Sequence, residues 1–311
     1  MKSSVSPVSV IVVTRNRLDK LLSCIQSLSR SSVSNFELII IDQSDKPILN
    51  EIKKNLVTEK FRYFHQADKG LSVGRNFGIR HAHGEILCFT DDDCVISRSW
   101  LKNICEYFFE NNKIAGIFGS TKPYKPNQNR SRICPSVLDK KGTTILDKPR
   151  LHYKYIGFGN NMAFRRNSFL KYGLFKEWLG VNSPGLSAED AEFALRLLVN
   201  KQKILSAKDV VVYHNKWLSH KELSKQMKLY ICGELSCYGY FAIKGYKFAK
   251  KVCLDDFNNV FSRLKKSIKR IYLLKTGGVS LFKNTLFEFT FMIRGLAVAY
   301  YFNCRERQQI Q

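Results

Sequence analysis

Acidic residues are scarce in this chain: 26 Asp and Glu stand against 51 Lys and Arg over 311 residues, a formal charge of +25. Such a surplus favours anionic partners: nucleic acid, acidic lipid surfaces or phosphorylated small molecules. Cysteine pairing is missing as well. Nine cysteines, an odd number with no C-x-x-C pair, build neither a disulfide framework nor a zinc site. They read as small buried hydrophobes in a reducing, cytoplasmic setting. No uninterrupted apolar run reaches the ~20 residues of a membrane span. The nearest, Leu286 to Phe302, is broken by Glu288 and Arg294. The early run Val8 to Val13 passes straight into Thr14-Arg15-Asn16-Arg17 with no small-residue cleavage site, so it reads as a strand and not a signal peptide. The phosphate loop G-x-x-x-x-G-K-[ST] is absent, which excludes a P-loop enzyme. There is no internal repeat and no low-complexity tract.

What is present centres on Phe89-Thr90-Asp91-Asp92-Asp93-Cys94, three adjacent carboxylates at the end of the apolar run from Glu85 to Phe89. The run is short and apolar, as a strand buried on both faces should be. Three like charges at its exit repel one another by about 1 kcal/mol or more per neighbouring pair. A hard divalent cation relieves that repulsion and keeps positions open for phosphate oxygens. A plain acidic turn ahead of a helix near Ser97 explains the same residues, since Asp is favoured in turns and caps.

The rest of the chain separates these readings. Strands are expected at Val8 to Val13, Phe36 to Ile41, Phe61 to His65, Glu85 to Asp91, Ile114 to Phe118, Gly157 to Phe164 and Val210 to Tyr213. Helices are expected at Leu18 to Leu28, Ile48 to Val57, Gly70 to Gly84, Trp100 to Phe109 and Asn167 to Tyr172, with another starting near Ser187. Residues Thr121 to Tyr155, rich in Pro, Lys, Arg and Asn, read as a long loop. Alternating strands and helices make an α/β fold, a mostly parallel, Rossmann-like sheet with helices on both faces. Ligands of such sheets lie beyond the carboxyl ends of the strands, where Thr14, Asp42 and Asp91 all fall. A nucleoside diphosphate accounts for that rim. Asp42 or Gln43 accepts from base or ribose, Arg75 pairs with phosphate or ribose, and a metal on the acids bridges the phosphates.

Six segments in order, VSVIVVTRNR from Val8, FELIIIDQS from Phe36, GLSVGRNFG from Gly70, FTDDDC, GNNMAFRR from Gly159 and AEDAEFALR from Ala188, together resemble family 2 glycosyltransferases of the GT-A fold. The resemblance spans about residues 5 to 215. It implies a catalytic domain over 1–217, with a nucleotide-binding half at about 5–119 and an acceptor-binding half at about 120–217. It also implies transfer of a sugar, with inversion, from a nucleotide-diphosphate donor to a hydroxyl of a glycan or lipid-linked acceptor, in surface polysaccharide synthesis. Laid on matching positions, Asp91 and Asp93 fit the D-x-D pair that contacts ribose and a Mn2+ or Mg2+ ion, and Asp92 fits in the alternative register. Asp42 fits the nucleotide-binding acid, with Gln43 where many members have a second acid. Arg75 fits the arginine near the nucleotide, Asp190 the general base with Glu189 beside it, and His214 a late metal or diphosphate contact. The same rim brings Thr14, Asn16, Gly159 and Asn160 towards the donor, glycine allowing close backbone approach. Asp190 as a simple first-turn acid, and His214 as a strand-end histidine, are the competing assignments.

Beyond Ser219 three helices are expected at Lys221 to Phe241, Phe257 to Leu274 and Leu281 to Phe302, forming a C-terminal extension over 218–311. Lys216 to Gln311 carries 18 Lys and Arg against 6 Asp and Glu, a net charge of +12. Basic, aromatic, amphipathic helices attract anionic lipid, so peripheral association with the cytoplasmic membrane face is expected; a helical cap on the catalytic domain is the plainer reading. A sugar nucleotidyltransferase lacks support because no glycine-rich loop follows the first strand. A nucleic-acid-binding protein is disfavoured because the acidic rim repels a phosphate backbone.

Overall fold

The computed structural model describes residues 8–55, 61–149, 155–273 and 276–308. Positions 56–57 of the expected second helix and 150–154 of the expected loop lie outside the described residues. Among the described residues nine strands form one sheet: β1 (Val8–Thr14), β2 (Glu37–Asp42), β3 (Phe61–His65), β4 (Ile86–Asp91), β5 (Cys94–Ile96), β6 (Ile114–Pro123), β7 (Thr144–Leu146), β8 (Asn161–Arg165) and β9 (Lys203–His214). Between them run α1 (Leu18–Ser29), α2 (Leu49–Asn55), α3 (Leu71–His81), α4 (Trp100–Glu110), α5 (Arg166–Tyr172) and α6 (Glu189–Val199). The extension contributes α7 (His220–Ile243), α8 (Lys247–Tyr272) and α9 (Gly278–Gln308).

The strand order is β3-β2-β1-β4-β8-β6-β9-β5, with β7 on β9. Pairing is parallel through β3, β2, β1 and β4 and again between β6 and β9. Strand β8 is antiparallel to both β4 and β6. β-branched runs such as Val8 to Val13 and Ile39 to Ile41 fit the buried pleat, and Val8, Val10, Val12, Ile39 and Ile40 are fully buried. Register sets Thr14 beside Asp42 and Val13 beside Asp91, so three strands end together at one rim. Helix α3 lies close on β1. A Cβ at Gly74 would stand 2.7 Å from Val13 Cγ1, and one at Gly78 2.6 Å from Ile11 Cγ2.

Several expectations need correction. The 121–155 stretch is not structureless: β6 runs on to Pro123, a 3-10 turn covers Pro126–Gln128, and β7 pairs antiparallel with β9. These pieces hide from a pattern search because Thr144 and Ile145 are exposed and β7 is three residues long. Strand β9 covers twelve residues instead of the expected Val210 to Tyr213, because the polar stretch around Lys208 and Asp209 hides its first half from the apolar pattern. Strand β5 begins at Cys94, directly after the acids, so a strand separates them from the helix expected near Ser97. Helix α8 begins ten residues before Phe257, at Lys247.

The chain divides into two units. The first holds the described residues of Met1–Pro149, Tyr153–Glu177 and Asp190–Leu223, and the second those of Trp178–Glu189 and Ser224–Gln311. The first unit is the sheet with α1 to α5 and most of α6. Its core includes a ring cluster in which Phe164, Phe169, Phe175 and Phe193 meet at centroid distances of 4.4 to 6.5 Å. Asn161, fully buried, accepts from Trp100 Nε1 at 2.8 Å and donates to the carbonyls of Ser120 and Val210, tying four elements at one point. In the second unit α8 packs on α9 through Phe257 against Phe289 and Arg263 against Glu288. There Trp178 stacks on Phe302 at 5.0 Å. None of the nine cysteines forms a disulfide. Among the described residues no helix is long and apolar enough to cross a membrane.

Lys140 anchors the 121–149 stretch from within. Its Nζ donates to Ile156 O at 2.8 Å and Ser206 Oγ at 2.7 Å, and burial pushes its ammonium down to about 7 from 10.5. Burial disfavours the charged form, so between about pH 7 and 10.5 the unfolded chain binds more protons at this site. The stability Lys140 confers is therefore fully present above the unfolded value and is lost as pH falls towards 7. Thermal melts of the native chain and Lys140→Met across pH 7 to 10 should show the native chain gaining on the variant as pH rises; parallel curves would refute this.

Candidate active site

Strand β4 surfaces at Asp91, and β5 begins at Cys94, so Asp92 and Asp93 form the intervening turn. Each acid has a cation beside it. Asp91, a third exposed, accepts from Arg75 Nη2 at 3.0 Å. Asp92, buried, accepts from Thr14 Oγ1 at 2.8 Å and Arg17 Nη1 at 3.1 Å. Asp93, also buried, takes the same Arg17 nitrogen at 3.2 Å and lies 3.3 Å from His214 Nε2. Register explains the last pair, since His214 lies opposite Cys94 across β5 and β9.

These environments separate the acids electrically. Burial, then the charge of Asp93, pushes Asp92 up to about 7. Burial acts on Asp93 in the same direction, but pairing with His214 and Arg17 more than offsets it and holds Asp93 at about 2. His214 is lowered by burial and raised further by Asp93 and Cys134, reaching about 10. Its Nδ1 faces Pro135 O at 2.8 Å, which fixes the ring.

A second constellation sits on the other side of Asp91. Arg75, nearly fully buried on α3, bridges Asp91 and the Gly159 carbonyl, each at 3.0 Å. Gly159 is the point of closest approach. A Cβ there would stand 3.0 Å from Arg75 Nη1 and 3.1 Å from Asp190 Oδ2. Asp190 caps its own helix through Ala191 N at 2.8 Å. Burial raises its pKa, while Arg75 and the Ala191 and Gly159 amides pull it back. The chain thus places Arg75, Asp91, Gly159 and Asp190 together.

Other expected positions face elsewhere. Asp42, with no exposed surface, accepts from Ser44 N at 2.8 Å, Tyr63 OH at 2.5 Å and Ile48 N at 3.2 Å. Gln43 is engaged with Gly70 through both ends of its amide. Both side chains close the β2 turn. Asn16, with φ of 54°, holds Asp45 through two side-chain bonds. Asn160 accepts from Thr121 Oγ1 at 2.9 Å. Glu189 is the first residue of α6 and belongs to the second unit. Arg17 escaped the sequence reading although it contacts two acids; its only signal was its place three residues after the β1 end.

Among the described residues no group of three or more His, Cys, Asp or Glu side chains is arranged to hold a metal. Two donors nevertheless suit one. Asp93 Oδ1 is buried, and among the described residues its one polar neighbour is the imidazole nitrogen of His214 at 3.3 Å. A hard cation held by one carboxylate and one imidazole takes its remaining ligands from phosphate and water, and replaces the proton that pairs the two side chains. The donor set fits such an ion.

Comparison with known proteins adds the following. The Glycosyl transferase family 2 profile matches residues 9–173. An uncharacterised glycosyltransferase of Rickettsia felis is 31% identical over 127 residues, which cover 40% of this chain and 21% of that one. The poly(ribitol-phosphate) β-N-acetylglucosaminyltransferase TarP of Staphylococcus aureus is 26% identical over 213 residues, 66% of this chain and 62% of TarP. The chain thus spans about a fifth of the rickettsial relative's length and under two thirds of TarP. The mannosyltransferase PcManGT of Pyrobaculum calidifontis, solved with GDP-Man and Mn2+, superposes with a TM-score of 0.61 at 13% identity, covering 94% of this chain and 88% of that one. That likeness is one of fold.

Arg75→Leu should leave the Gly159 carbonyl and Asp190 without their cation. The expected cost is about 3 kcal/mol or more, read from the denaturant midpoint; a change under about 0.5 kcal/mol, ordinary for a surface site, would show that the guanidinium holds nothing there.

Proposed function

Because the chain belongs to glycosyl transferase family 2, we propose that it is a metal-dependent, inverting hexosyltransferase. Its donor is a nucleotide-diphosphate sugar, and its acceptor is a hydroxyl of a glycan or lipid-linked polymer in envelope polysaccharide synthesis. The observation that carries this reading is the convergence of Arg75, Asp91, Gly159 and Asp190. It sets a carboxylate of raised pKa across a glycine backbone from the exposed acid at the end of β4.

The chemistry follows from those positions. Asp91 presents its solvent-reachable oxygen to a ribose hydroxyl, with Arg75 fixing the carboxylate. Gly159 lets backbone approach the sugar. Asp190 accepts the acceptor's proton as the new C–O bond forms at the anomeric carbon and the sugar–phosphate bond breaks, its electrons leaving with the diphosphate. A pKa raised by burial makes Asp190 a stronger base than an exposed carboxylate. Asp93 and His214 would hold the divalent cation, which supplies a Lewis acid for the departing diphosphate. Arg17 adds a second positive charge on that side. TarP's polymer acceptor supports a polymeric acceptor here.

Asp190→Asn keeps the shape and removes the base. Transfer should fall by roughly 10²-fold or more, while nucleoside diphosphates with manganese still raise the melting temperature as in the native chain. Full transfer by the variant overturns the base assignment, and a panel of nucleotides and sugar nucleotides that shifts nothing overturns the donor.

The peripheral-membrane reading rests on α8. Leu254, Phe261, Ile268 and Tyr272 are 62%, 47%, 51% and 85% exposed and recur at helical spacing on one line. Lys250, Lys251, Lys265 and Lys269 are also exposed on the same helix. An anionic bilayer surface satisfies both sets at once. Phe261→Ser with Ile268→Ser should cut sedimentation with phosphatidylglycerol vesicles several-fold; unchanged sedimentation removes α8 from the contact.

A further inference from the structure

A cavity of about 460 Å³ opens beside Asp93, and neither Arg75 nor Asp190 lines it. Its lining brings Arg17, Lys20, Arg132 and Lys216 together with Trp217, against the single carboxylate of Asp93. That carboxylate is already paired with Arg17 and His214. Four cations around one pocket repel one another, so the arrangement is completed by an anion.

The walls are built rather than draped. Lys20 Nζ donates to Asn215 O at 2.9 Å, and Arg132 Nη1 to Trp217 O at 3.2 Å. Those carbonyls aim two cations from different segments at one space. Neither Lys20 nor Arg132 has a carboxylate within ion-pair reach among the described residues, so each positive charge is uncompensated. The 215–218 segment is itself fixed by Asn215 N to Asp93 O at 2.7 Å, and by paired bonds between Ile133 and Leu218 at 2.8 and 2.9 Å. The indole N–H of Trp217 has no acceptor among the described residues.

We propose that this cavity is a phosphate-binding site, gripping a phosphoryl group through Lys20, Arg132 and Lys216, with Trp217 against the carbon skeleton it is attached to. A planar guanidinium and two ammonium groups match the several oxygens of a phosphate. The phosphate chemistry stands on the cavity alone. Its two sources rest on the transferase reading above: the diphosphate of the donor, or a phosphate within the acceptor.

The test uses the full chain and Lys20→Gln/Arg132→Gln, titrated calorimetrically with inorganic pyrophosphate, a glycerol phosphate oligomer and UDP with manganese. At least one phosphate probe should bind the native chain and weaken tenfold or more in the double variant, whose melting temperature stays within about 2 °C. Joint loss of pyrophosphate and UDP assigns the cavity to the donor; loss of the oligomer with UDP unchanged assigns it to the acceptor. Either single variant should lie between the two, which guards against a folding defect in the double. If the double variant binds every probe within twofold of the native chain, or if neither pyrophosphate nor the oligomer binds the native chain, the inference falls. Failure of the transferase reading looks different: no nucleoside diphosphate binds, while pyrophosphate or the oligomer still does so in a Lys20- and Arg132-dependent way.

Discussion

Three carboxylates in consecutive positions at one strand end coexist only because each has its own counter-charge: Arg75 for Asp91, Arg17 for Asp92, and His214 with Arg17 for Asp93. The cations come from distant parts of the chain, α3, the β1 exit and the end of β9. That neutralisation lets Asp92 and Asp93 be buried next to each other, since an unpaired buried charge is costly. The acidic turn is thus a fastening for three elements as well as a candidate ligand site.

The turn and the metal assignments for these acids fall on different residues. Asp92 behaves as a turn acid: it accepts from Thr14 and Arg17, and burial keeps its pKa high. Asp93 keeps a buried oxygen that faces only an imidazole. Asp91 alone reaches solvent to a useful extent. Sequence spacing treats the three as equivalent, while the strand exit gives each a different direction.

The alternation of strands and helices through Ile117 was legible because short β-branched runs and 3.6-residue periodicity are local signals. Strand β5 and the true length of β9 were not, because β5 is three residues long, Lys208 and Asp209 break the apolar run of β9, and the pairing that defines both is long-range. The same limit applies to the site. Asp190, Gly159 and Arg75 could be named singly, yet only the antiparallel insertion of β8 between β4 and β6 brings Gly159 under the guanidinium. Asp42 and Gln43 have partners that the sequence does not reveal. At a β2 exit they look available to a ligand, but Tyr63 and the Gly70 backbone, neither adjacent in sequence, occupy them. Arg17 and Lys20 passed as ordinary basic residues in a chain full of them.

Gly74 and Gly78 bring α3 within a methyl's breadth of Val13 and Ile11. How far the guanidinium carried by that helix projects is therefore governed from beneath, by aliphatic bulk on β1, and not by anything lining the rim. Altering those two aliphatic residues would act like a shim under a tool post, moving the cutting edge while leaving every group that meets a ligand chemically unchanged.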